Sequence, residues 1–208
     1  MPKGSPELVA ARRAEIVEAC ARLYDSLPFG DITIGMIGAG TTLSRASVYN
    51  YFRTKEEIFL ALLGREYEAW TADLDALAAR PVPREEFADA FAAVLQKRGR
   101  LLKLVSMNLY DMEAGSSVEE LTEFKRRYNA SIRAVLGVLR AHFPASMEED
   151  GQEFVYSFFP FLFGVYPYTS VTPKQAEAMR RAGVAYREYS PREIVRLAVE
   201  KLTAALPR

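Results

Sequence analysis

Apolar residues recur along this chain at the three- and four-residue spacing of amphipathic α-helices, and no segment alternates convincingly between apolar and polar positions as a strand would. The spacing predicts a first helix over residues 6–27, which ends before Pro28 and Gly30. A long helix is expected over residues 54–79, because a proline-rich break follows at residues 80–83. The chain is therefore predicted to be all-α.

The remaining helices are predicted from the same spacing and from capping residues. Helices are expected at residues 84–98 and 100–112. A long helix over residues 118–143, capped by the two preceding serines, shows a 3.6-residue apolar period. The last helix is expected to begin at Ser190-Pro191, because serine caps a helix and proline suits its first position.

The segment from residue 154 to residue 171 carries no charge over 18 residues, which approaches the length of a membrane-spanning helix. Its hydroxyls, Gly164, Pro160 and Pro167 favour burial on two sides instead, and no cluster of Lys or Arg flanks it on one side. The two prolines are expected to break or kink this helix. The leading interpretation is core plus dimer interface, and a share in a ligand pocket or a membrane contact remains as an alternative.

The run from residue 33 to residue 55 predicts two short helices joined by a tight turn. Thr33 can cap the first helix, residues 41–43 form the bend, and Ser44 can cap the second. A pair of short helices in this order is typical of a helix-turn-helix frame.

The second of these helices predicts a surface that binds nucleic acid. Val48 and Phe52 are four residues apart and are expected to face inward. The residues then left on the outer surface are Arg45, Ser47, Tyr49, Asn50 and Tyr51. A short exposed helix with hydroxyl, amide and guanidinium groups fits the major groove of DNA, so DNA binding is the leading hypothesis.

These residues resemble the N-terminal domain of the TetR, or tetracycline-repressor-like, transcriptional regulators. The resemblance covers roughly residues 8–65. It is carried by the first amphipathic helix from Ile16 to Leu27, by Thr33, Ile37, Leu43, Ser44, Tyr49 and Phe52, and by Lys55 at the start of the next helix. The remaining two thirds of the chain are similar to the family only in length and helical character.

The resemblance implies an all-α fold with a three-helix DNA-binding domain over residues 1–53 and a larger helical effector-binding and dimerisation domain over residues 54–208. It implies a ligand-responsive homodimeric repressor that binds a palindromic operator in double-stranded DNA and responds to an unknown small-molecule effector. The alternative is a helical module for a small molecule or protein that has lost DNA binding.

The expected DNA contacts follow from the resemblance and from local charge. Lys plus Arg equals Asp plus Glu at 27 each, so the charge that binds phosphate must be local. Between residues 42 and 55 every charged residue is positive. The residues expected to contact DNA are Thr33, Thr42, Ser44, Arg45, Ala46, Ser47, Tyr49, Asn50, Tyr51 and Lys55.

Two features depart from the family pattern. The family usually has Ala-Gly in the turn, where this chain has Thr41-Thr42, and a β-branched residue is strained at the positive φ that glycine supplies. The second helix contains Gly35, Gly38 and Gly40, each of which costs about 0.5–1 kcal/mol relative to alanine. Three explanations remain open: another turn geometry, a helix that is loose until DNA binds, or close packing of the first helix against Gly38.

The resemblance also implies residues for dimerisation and effector binding in the C-terminal part. The dimer interface is expected at Phe154, Phe158, Leu162, Ile194, Leu197 and Leu202. The effector pocket is expected among Trp70, Met107, Tyr110, Phe124, Tyr128, Phe158, Phe161 and Tyr166, although aromatic residues at helical spacing also suit a plain core.

The chemistry-bearing residues argue against an enzyme. Cys20 and His142 are the only cysteine and histidine, so catalytic triads and Cys/His metal sites lack their components. No glycine-rich phosphate loop follows a strand, and no cofactor or metal is expected. The first fifteen residues contain no apolar stretch, so no signal peptide and no membrane partner are expected, and a single cysteine is consistent with the cytoplasm.

Overall fold

A computed structural model describes residues 4–107 and 109–207. The described residues form α-helices and one short 3₁₀ helix, joined by turns, and contain no strand. The helices are α1 (Pro6–Ser26), α2 (Ile34–Ala39), α3 (Arg45–Val48), α4 (Lys55–Ala78), α5 (Arg84–Gln96), α6 (Gly99–Val105), α7 (Leu109–Ala114), α8 (Val118–His142), α9 (Glu148–Thr169), α10 (Pro173–Ala182) and α11 (Pro191–Thr203). A 3₁₀ turn at Phe29–Asp31 precedes α2. The all-α prediction is confirmed for the described residues.

The chain packs as two compact units. The first contains the residues up to Glu66 and a segment that ends at Tyr128, and the second contains Tyr67–Met107 and the residues from Asn129 onward. The predicted domain boundary between residues 53 and 54 stays a prediction, because packing units and functional domains need not coincide.

The first unit is held together by the inner faces of α1 to α4. Val48 and Phe52 are fully buried, as their four-residue spacing predicts. Tyr24 and Phe29, the first residue of the 3₁₀ turn, both meet the ring of Phe59 edge-on, at centroid distances of 5.2 and 4.7 Å. This aromatic group fixes the start of α4 against α1 and thereby supports the short helices between them.

The second unit has an aromatic core where α11 packs on α5 and α9. Phe91 meets Phe158 edge-on at 5.3 Å and Phe154 at 6.0 Å. Phe87 packs against Phe143 at 4.9 Å. Arg84 donates to the carbonyl groups of Thr203 and Leu206 at the end of α11, which satisfies acceptors that a helix C-terminus leaves free.

One helix prediction is wrong. A single helix over residues 100–112 is not formed, because α6 ends at Val105 and α7 begins at Leu109. Of the break or kink expected at Pro160 and Pro167, the break does not occur, since α9 continues from Glu148 to Thr169. Both prolines lie on the exposed side of the helix, where water can satisfy the carbonyl groups that their missing N–H groups leave unpaired.

Two further features are absent from the sequence prediction. Gly151 lies in the first turn of α9, where a Cβ on this glycine would stand 2.8 Å from the Leu136 side chain. The helix α10 is not predicted from periodicity, because it has no buried residue that would mark an inner face. Within the described residues, no helix is both long enough and apolar enough to span a membrane.

Candidate nucleic-acid interface

The two helices of the helix-turn-helix begin at the residues that the sequence predicts. Thr33 Oγ1 accepts a hydrogen bond from the N–H of Met36 at 3.2 Å. Ser44 Oγ accepts from the N–H of Ser47 at 3.1 Å and lies 2.8 Å from its hydroxyl. These side-chain caps satisfy N–H groups that a helix start leaves free, so they set where α2 and α3 begin.

A residue of α1 holds the end of α3, which we call the reading helix. Although α3 itself is short, hydrogen bonds to the Val48 carbonyl continue the helical turn as far as Phe52. The Arg13 guanidinium lies 4.0 Å above the Phe52 ring and donates to the Tyr51 carbonyl at 2.7 Å. A cation over an aromatic face adds to the packing of that ring, so Arg13 holds residues 51 and 52 in place.

The Thr41-Thr42 turn is built without a left-handed residue. Gly40 ends α2 with φ −86°, and among the described residues no residue other than glycine has positive φ. The Thr41 hydroxyl donates to the Gly38 carbonyl at 2.8 Å and accepts from the N–H of Leu43 at 3.1 Å. The turn therefore takes a different geometry from one that needs glycine, and the threonine side chain supplies the hydrogen bonds.

Three side chains of α1 hold this turn from outside. Arg22 donates to the Gly40 carbonyl at 2.9 Å, and Arg12 donates to the Thr42 hydroxyl at 2.6 Å. Glu15 accepts from the Thr42 N–H at 2.5 Å. That backbone hydrogen bond, followed by those from the Thr42 side chain and Arg12, lowers the pKa of Glu15 to about 2. We call Arg12, Glu15 and Arg22 the turn clamp.

The glycines of α2 and its end have different surroundings. A Cβ at Gly38 would lie 3.4 Å from the Cα of Arg45, so this buried glycine lets α3 approach α2. A Cβ at Gly40 would lie 3.2 Å from that of Ala19 in α1. Gly35 has its nearest neighbour at 3.7 Å. Close packing therefore accounts for Gly38 and Gly40. Helix α1 packs against Gly40, whereas α3 packs against Gly38.

The predicted reading residues form an exposed surface on α3 and the turn after it. Arg45 and Asn50 are exposed, and Tyr49 retains 46% of its accessible surface. Ser44 and Ala46 are exposed as well, and Ser47 and Tyr51 are half-buried. Arg45 is exposed, and among the described residues no ion pair joins its guanidinium to an acid.

Two predicted DNA contacts are engaged within the domain. Lys55 Nζ donates to the Phe29 carbonyl at 2.9 Å and lies 3.9 Å above the Phe29 ring, and Thr42 is held by the turn clamp. The exposed cation close to Lys55 in sequence is Arg53. Arg53 is not among the DNA contacts predicted from sequence, because neither residue type nor spacing reveals that a backbone carbonyl binds the lysine.

The start of α4 is bonded to the segment between α7 and α8, inside the first unit. The buried Glu57 accepts from the N–H of Arg53 at 2.6 Å and from the N–H of Ser117 at 3.1 Å. Burial raises the pKa of Glu57, but these hydrogen bonds outweigh burial and leave the pKa below its ordinary value. Thr54 donates to the Gly115 carbonyl at 2.9 Å. The start of α4 is therefore held to residues 115 and 117 by hydrogen bonds.

A second contact joins the first turn of α8 to α1. Arg13 donates to Glu120 at 2.5 Å while it also holds the Tyr51 carbonyl. One guanidinium thus connects the first turn of α8 with the end of the reading helix. The sequence prediction omitted Arg13, because its partners are 38 and 107 positions away along the chain.

Three predicted dimer residues lie on α9. Phe154, Phe158 and Leu162 are buried in the core of their own unit, and their place in a dimer interface stays a prediction. The sequence offered no charge in this segment to mark which face meets water. The predicted residues on α11, Ile194, Leu197 and Leu202, are half-buried and remain candidates for an interface.

The predicted effector residues are divided between the two units, and the pocket that they would form stays a prediction. Tyr110, Phe124 and Tyr128 belong to the first unit, and the other five belong to the second. Tyr110 retains 84% of its surface, and its assignment to a pocket wall stays a prediction. Phe158 packs among other aromatic rings, Phe161 included, at 5.9 Å. Met107 and Tyr166 are half-buried.

Trp70 has the most distinctive surroundings of this set. Its ring is fully buried between Tyr67 and Phe159, at 6.2 and 5.8 Å, and its indole N–H has no acceptor among the described residues. The adjacent Thr71 hydroxyl is buried and also lacks a partner there. Two surface cavities of about 320 and 500 Å³ lie elsewhere in the second unit, and none of the eight predicted pocket residues lines either of them.

Comparisons with known proteins agree with this arrangement. Residues 16–62 match the family model described as bacterial regulatory proteins, tetR family, and residues 64–200 match the model described as tetracyclin repressor-like, C-terminal domain. The HTH-type transcriptional repressor Rv1474c of Mycobacterium tuberculosis is 29% identical over 72 residues, which cover 35% of this chain and 38% of that protein. The chain therefore matches well under half the length of this relative.

Solved structures share the fold at low sequence identity. The fatty acid degradation regulator FadR from Bacillus halodurans aligns over 97% of this chain and 96% of its own with a TM-score of 0.61 and 12% identity. The TetR family repressor AlkX from Dietzia sp. strain DQ12-45-1b, implicated in biodegradation of n-alkanes, aligns over 100% of both chains with a TM-score of 0.54 and 12% identity. Because the two family models together span most of the chain, it belongs to the TetR family of bacterial transcriptional regulators, whose DNA-binding helix-turn-helix domain it carries at its N-terminal end.

Proposed function

We propose that two copies of this chain bind a palindromic operator and repress transcription, each placing residues 44–52 in the major groove of one half-site. The observation that supports this proposal best is the exposure of Arg45, Tyr49 and Asn50 on a helix that is capped at Ser44 and held by α1. Such a helix presents its polar groups without having to reorganise. The protein acts in the cytoplasm, and we assign it no catalytic activity.

The exposed residues have distinct roles in this proposal. Arg45 can donate two hydrogen bonds to O6 and N7 of guanine, and Asn50 can pair with N6 and N7 of adenine. The hydroxyl groups of Ser44 and Tyr49 suit phosphate oxygens, which position a protein on DNA without reading sequence. Arg53 is exposed nearby and adds positive charge for the backbone.

Dimerisation follows from the charge as well as from the family. The chain has no net charge, and the exposed cations of the reading surface are Arg45 and Arg53. Two cations per protomer give weak binding to one half-site, because affinity for DNA rises with the number of phosphates neutralised. A two-fold dimer doubles the number of contacts and matches a palindrome.

An effector site in the second unit is part of this proposal. The buried indole N–H of Trp70 and the Thr71 hydroxyl lack partners, and a buried polar group without a partner is costly unless a ligand or water pairs with it. An apolar effector with one or two acceptor atoms would complete both hydrogen bonds. Trp70 is the only tryptophan of the chain, so its fluorescence reports on this site alone.

The contacts of Glu57 and Arg13 offer a route from effector to DNA. Helices α4 and α8 carry residues of both units, and their first turns meet through Glu57 and Ser117. An effector that changes α4 or α8 would alter the spacing of the two reading helices and release the operator. Linkage requires that operator DNA weaken effector binding by the same factor.

Alanine variants of the reading surface test the proposal. An electrophoretic shift assay with genomic fragments that flank the coding gene should detect a specific complex. Arg45→Ala and Asn50→Ala should each lose about 1–3 kcal/mol of discrimination at particular bases. Arg133→Ala, which removes an exposed cation from α8, is the matched control and should bind as the unaltered protein does. Equal affinity of all variants for every sequence would refute the proposed reading surface.

A further inference from the structure

A surface cavity of about 320 Å³ lies at the corner between the end of α8 and the start of α9. Its lining residues all belong to the second unit. Leu136 and Leu139 come from α8, Gly151 from α9, and Leu206 from the segment after α11. The volume lies at the lower end of the range of ligand pockets, about 300–1,000 Å³. We call this space the corner cavity.

The residues around the corner cavity are held by contacts within the chain. Arg84 donates to the Leu206 carbonyl at 2.7 Å, and its guanidinium lies 4.8 Å above the Phe143 ring. The N–H of Ser146 donates to the Phe143 carbonyl at 3.0 Å. One leucine and one serine of the wall are thus tied to the same phenylalanine. The cavity is therefore formed without a ligand, as binding sites for small molecules usually are.

The floor of the corner cavity is apolar. Leu139 and Leu206 are buried, and Leu136 is half-buried. A Cβ at Gly151 would stand 2.8 Å from the Leu136 side chain, so the glycine leaves that leucine its place in the floor. A water molecule above these leucines has few hydrogen-bond partners, and an apolar group that displaces such a water gains affinity. The floor therefore favours a ligand with a hydrocarbon part.

The Ser146 hydroxyl supplies one polar group of the wall. Its oxygen is buried and has no hydrogen-bond partner among the described residues. A buried hydroxyl without a partner is unfavourable and calls for a bound group that would pair with it. The hydroxyl can donate or accept, and rotation about a single side-chain bond moves it between three staggered positions. An oxygen atom of a ligand in the cavity would complete this hydrogen bond.

Charged side chains of both signs line the corner cavity. Arg140 and Glu148 are exposed. Asp150 lines the cavity as well, and its carboxylate accepts a hydrogen bond from the N–H of Met147 at 2.8 Å. An anion attracted by Arg140 is repelled by two carboxylates, and a cation attracted by the carboxylates is repelled by the guanidinium. A net charge on the ligand therefore gains little, and a neutral ligand fits best.

We propose that the corner cavity binds a small neutral molecule with an aliphatic chain and one hydroxyl or carbonyl group. The chain lies against the three leucines, and the oxygen pairs with the Ser146 hydroxyl. Met147 lines the same cavity and is 67% exposed, and its flexible thioether adapts to the ligand. Neither Trp70 nor Thr71 lines this cavity, so the site is separate from the proposed effector site.

Titration with 1-hexanol tests the site, with NMR of protein that carries ¹³C in its methionine methyl groups. The chain has six methionines, and Met147→Leu identifies the signal from the corner cavity. That signal should shift until the site is saturated, while the signal of Met36, in the first unit, should stay in place. Hexanoate and hexylamine should bind several-fold more weakly. No shift at Met147, or equal affinity for all three compounds, would overturn the proposal.

Ser146→Ala tests the hydroxyl in the same titration. Affinity for 1-hexanol should fall about fivefold, as expected for the loss of one hydrogen bond. Without ligand the melting temperature should rise by about 2–4 °C, because an unpaired buried hydroxyl is removed. Ser157→Ala makes the same change at an exposed position of α9 and should alter neither quantity. Unchanged affinity for 1-hexanol, or a melting temperature that does not rise, would contradict the proposal and leave operator binding and the Trp70 site unaffected.

Discussion

Glu15 of α1 accepts a hydrogen bond at 2.5 Å from the backbone N–H of Thr42, the second threonine of the turn that joins the two helices of the reading head. A side chain from a neighbouring helix thus fixes this turn. Together with Arg12 and Arg22 it holds Gly40 and Thr42, one on each side of Thr41, by hydrogen bonds. The position of α3 therefore depends on α1 as well as on its own caps.

Glu15→Ala should weaken operator binding about fivefold, because a turn that has lost one hydrogen bond worth roughly 1 kcal/mol no longer holds α3 in position. Asp75→Ala, which removes an exposed carboxylate from α4, is the control and should bind normally. Titration of labelled operator by fluorescence anisotropy measures both affinities. Identical affinities of the two variants would show that the turn clamp does not position the reading helix.

The stabilisation from Glu15 should also depend on pH. Its pKa in the folded protein is lowered from 4.5 to about 2, so the folded state favours the charged carboxylate. The stabilisation is complete above pH 4.5 and is lost as the pH falls towards 2. The difference in melting temperature between the unaltered protein and Glu15→Ala should therefore shrink over that interval. A constant difference would exclude a charged Glu15 as the acceptor.

Glu57→Gln should destabilise the first unit by about 1–3 kcal/mol, because one buried N–H then meets an amide NH₂ group in place of a carboxylate oxygen. It should also loosen the contact with Ser117 and raise amide exchange at residues 115–117. Urea denaturation and hydrogen exchange measure the two effects. Glu119→Gln, in the exposed first turn of α8, should change neither. A stable variant with unchanged exchange would remove Glu57 from the proposed route between effector and DNA.

The salt dependence of operator binding should distinguish Arg53 from Lys55. Arg53→Ala removes an exposed cation from each protomer, so the slope of log K against log salt should become less steep by about 1.8 for the dimer. Lys55→Ala removes a contact with Phe29 and should lower the melting temperature with little change in slope. A slope that changes with the lysine and not with the arginine would reverse this assignment.

Two glycines should respond to alanine in opposite ways. Gly35→Ala has no close neighbour and should stabilise the protein by about 0.5–1 kcal/mol, since alanine favours a helix. Gly40→Ala would place its Cβ 3.2 Å from that of Ala19 and should lower the melting temperature. Thermal melts of both variants provide the comparison. A rise for both would mean that the glycines only loosen α2, and that packing against α1 plays no part.

The sequence predicted the parts of this structure that depend on neighbouring residues. The caps at Thr33, Ser44 and Ser190 act over three positions, so they mark helix starts directly. The inward spacing of Val48 and Phe52 is equally local. Such local features are enough to locate the helix-turn-helix and its exposed residues.

The features that the sequence did not predict depend on residues far apart along the chain, or lie in segments where no difference between charged and apolar residues marks the exposed face. The turn clamp joins residues 18 to 30 positions apart, and no periodicity encodes such pairs. The segment around Phe158 has no charge, so its buried and exposed faces look alike in sequence. The helix α10 is the opposite case, since its caps at Thr172 and Gly183 were readable but its mostly polar composition concealed a helix.

Selection of bound sequences from random double-stranded DNA tests the central claim, that this chain is a dimeric regulator which reads DNA through α3. The unaltered protein should enrich an inverted repeat whose half-sites lie about one helical turn, 34–36 Å, apart. Arg45→Ala, in a parallel selection, should enrich a repeat that is relaxed at one or two symmetric positions. Enrichment of no sequence by folded protein, or of the same repeat with the same stringency by Arg45→Ala, would contradict the claim.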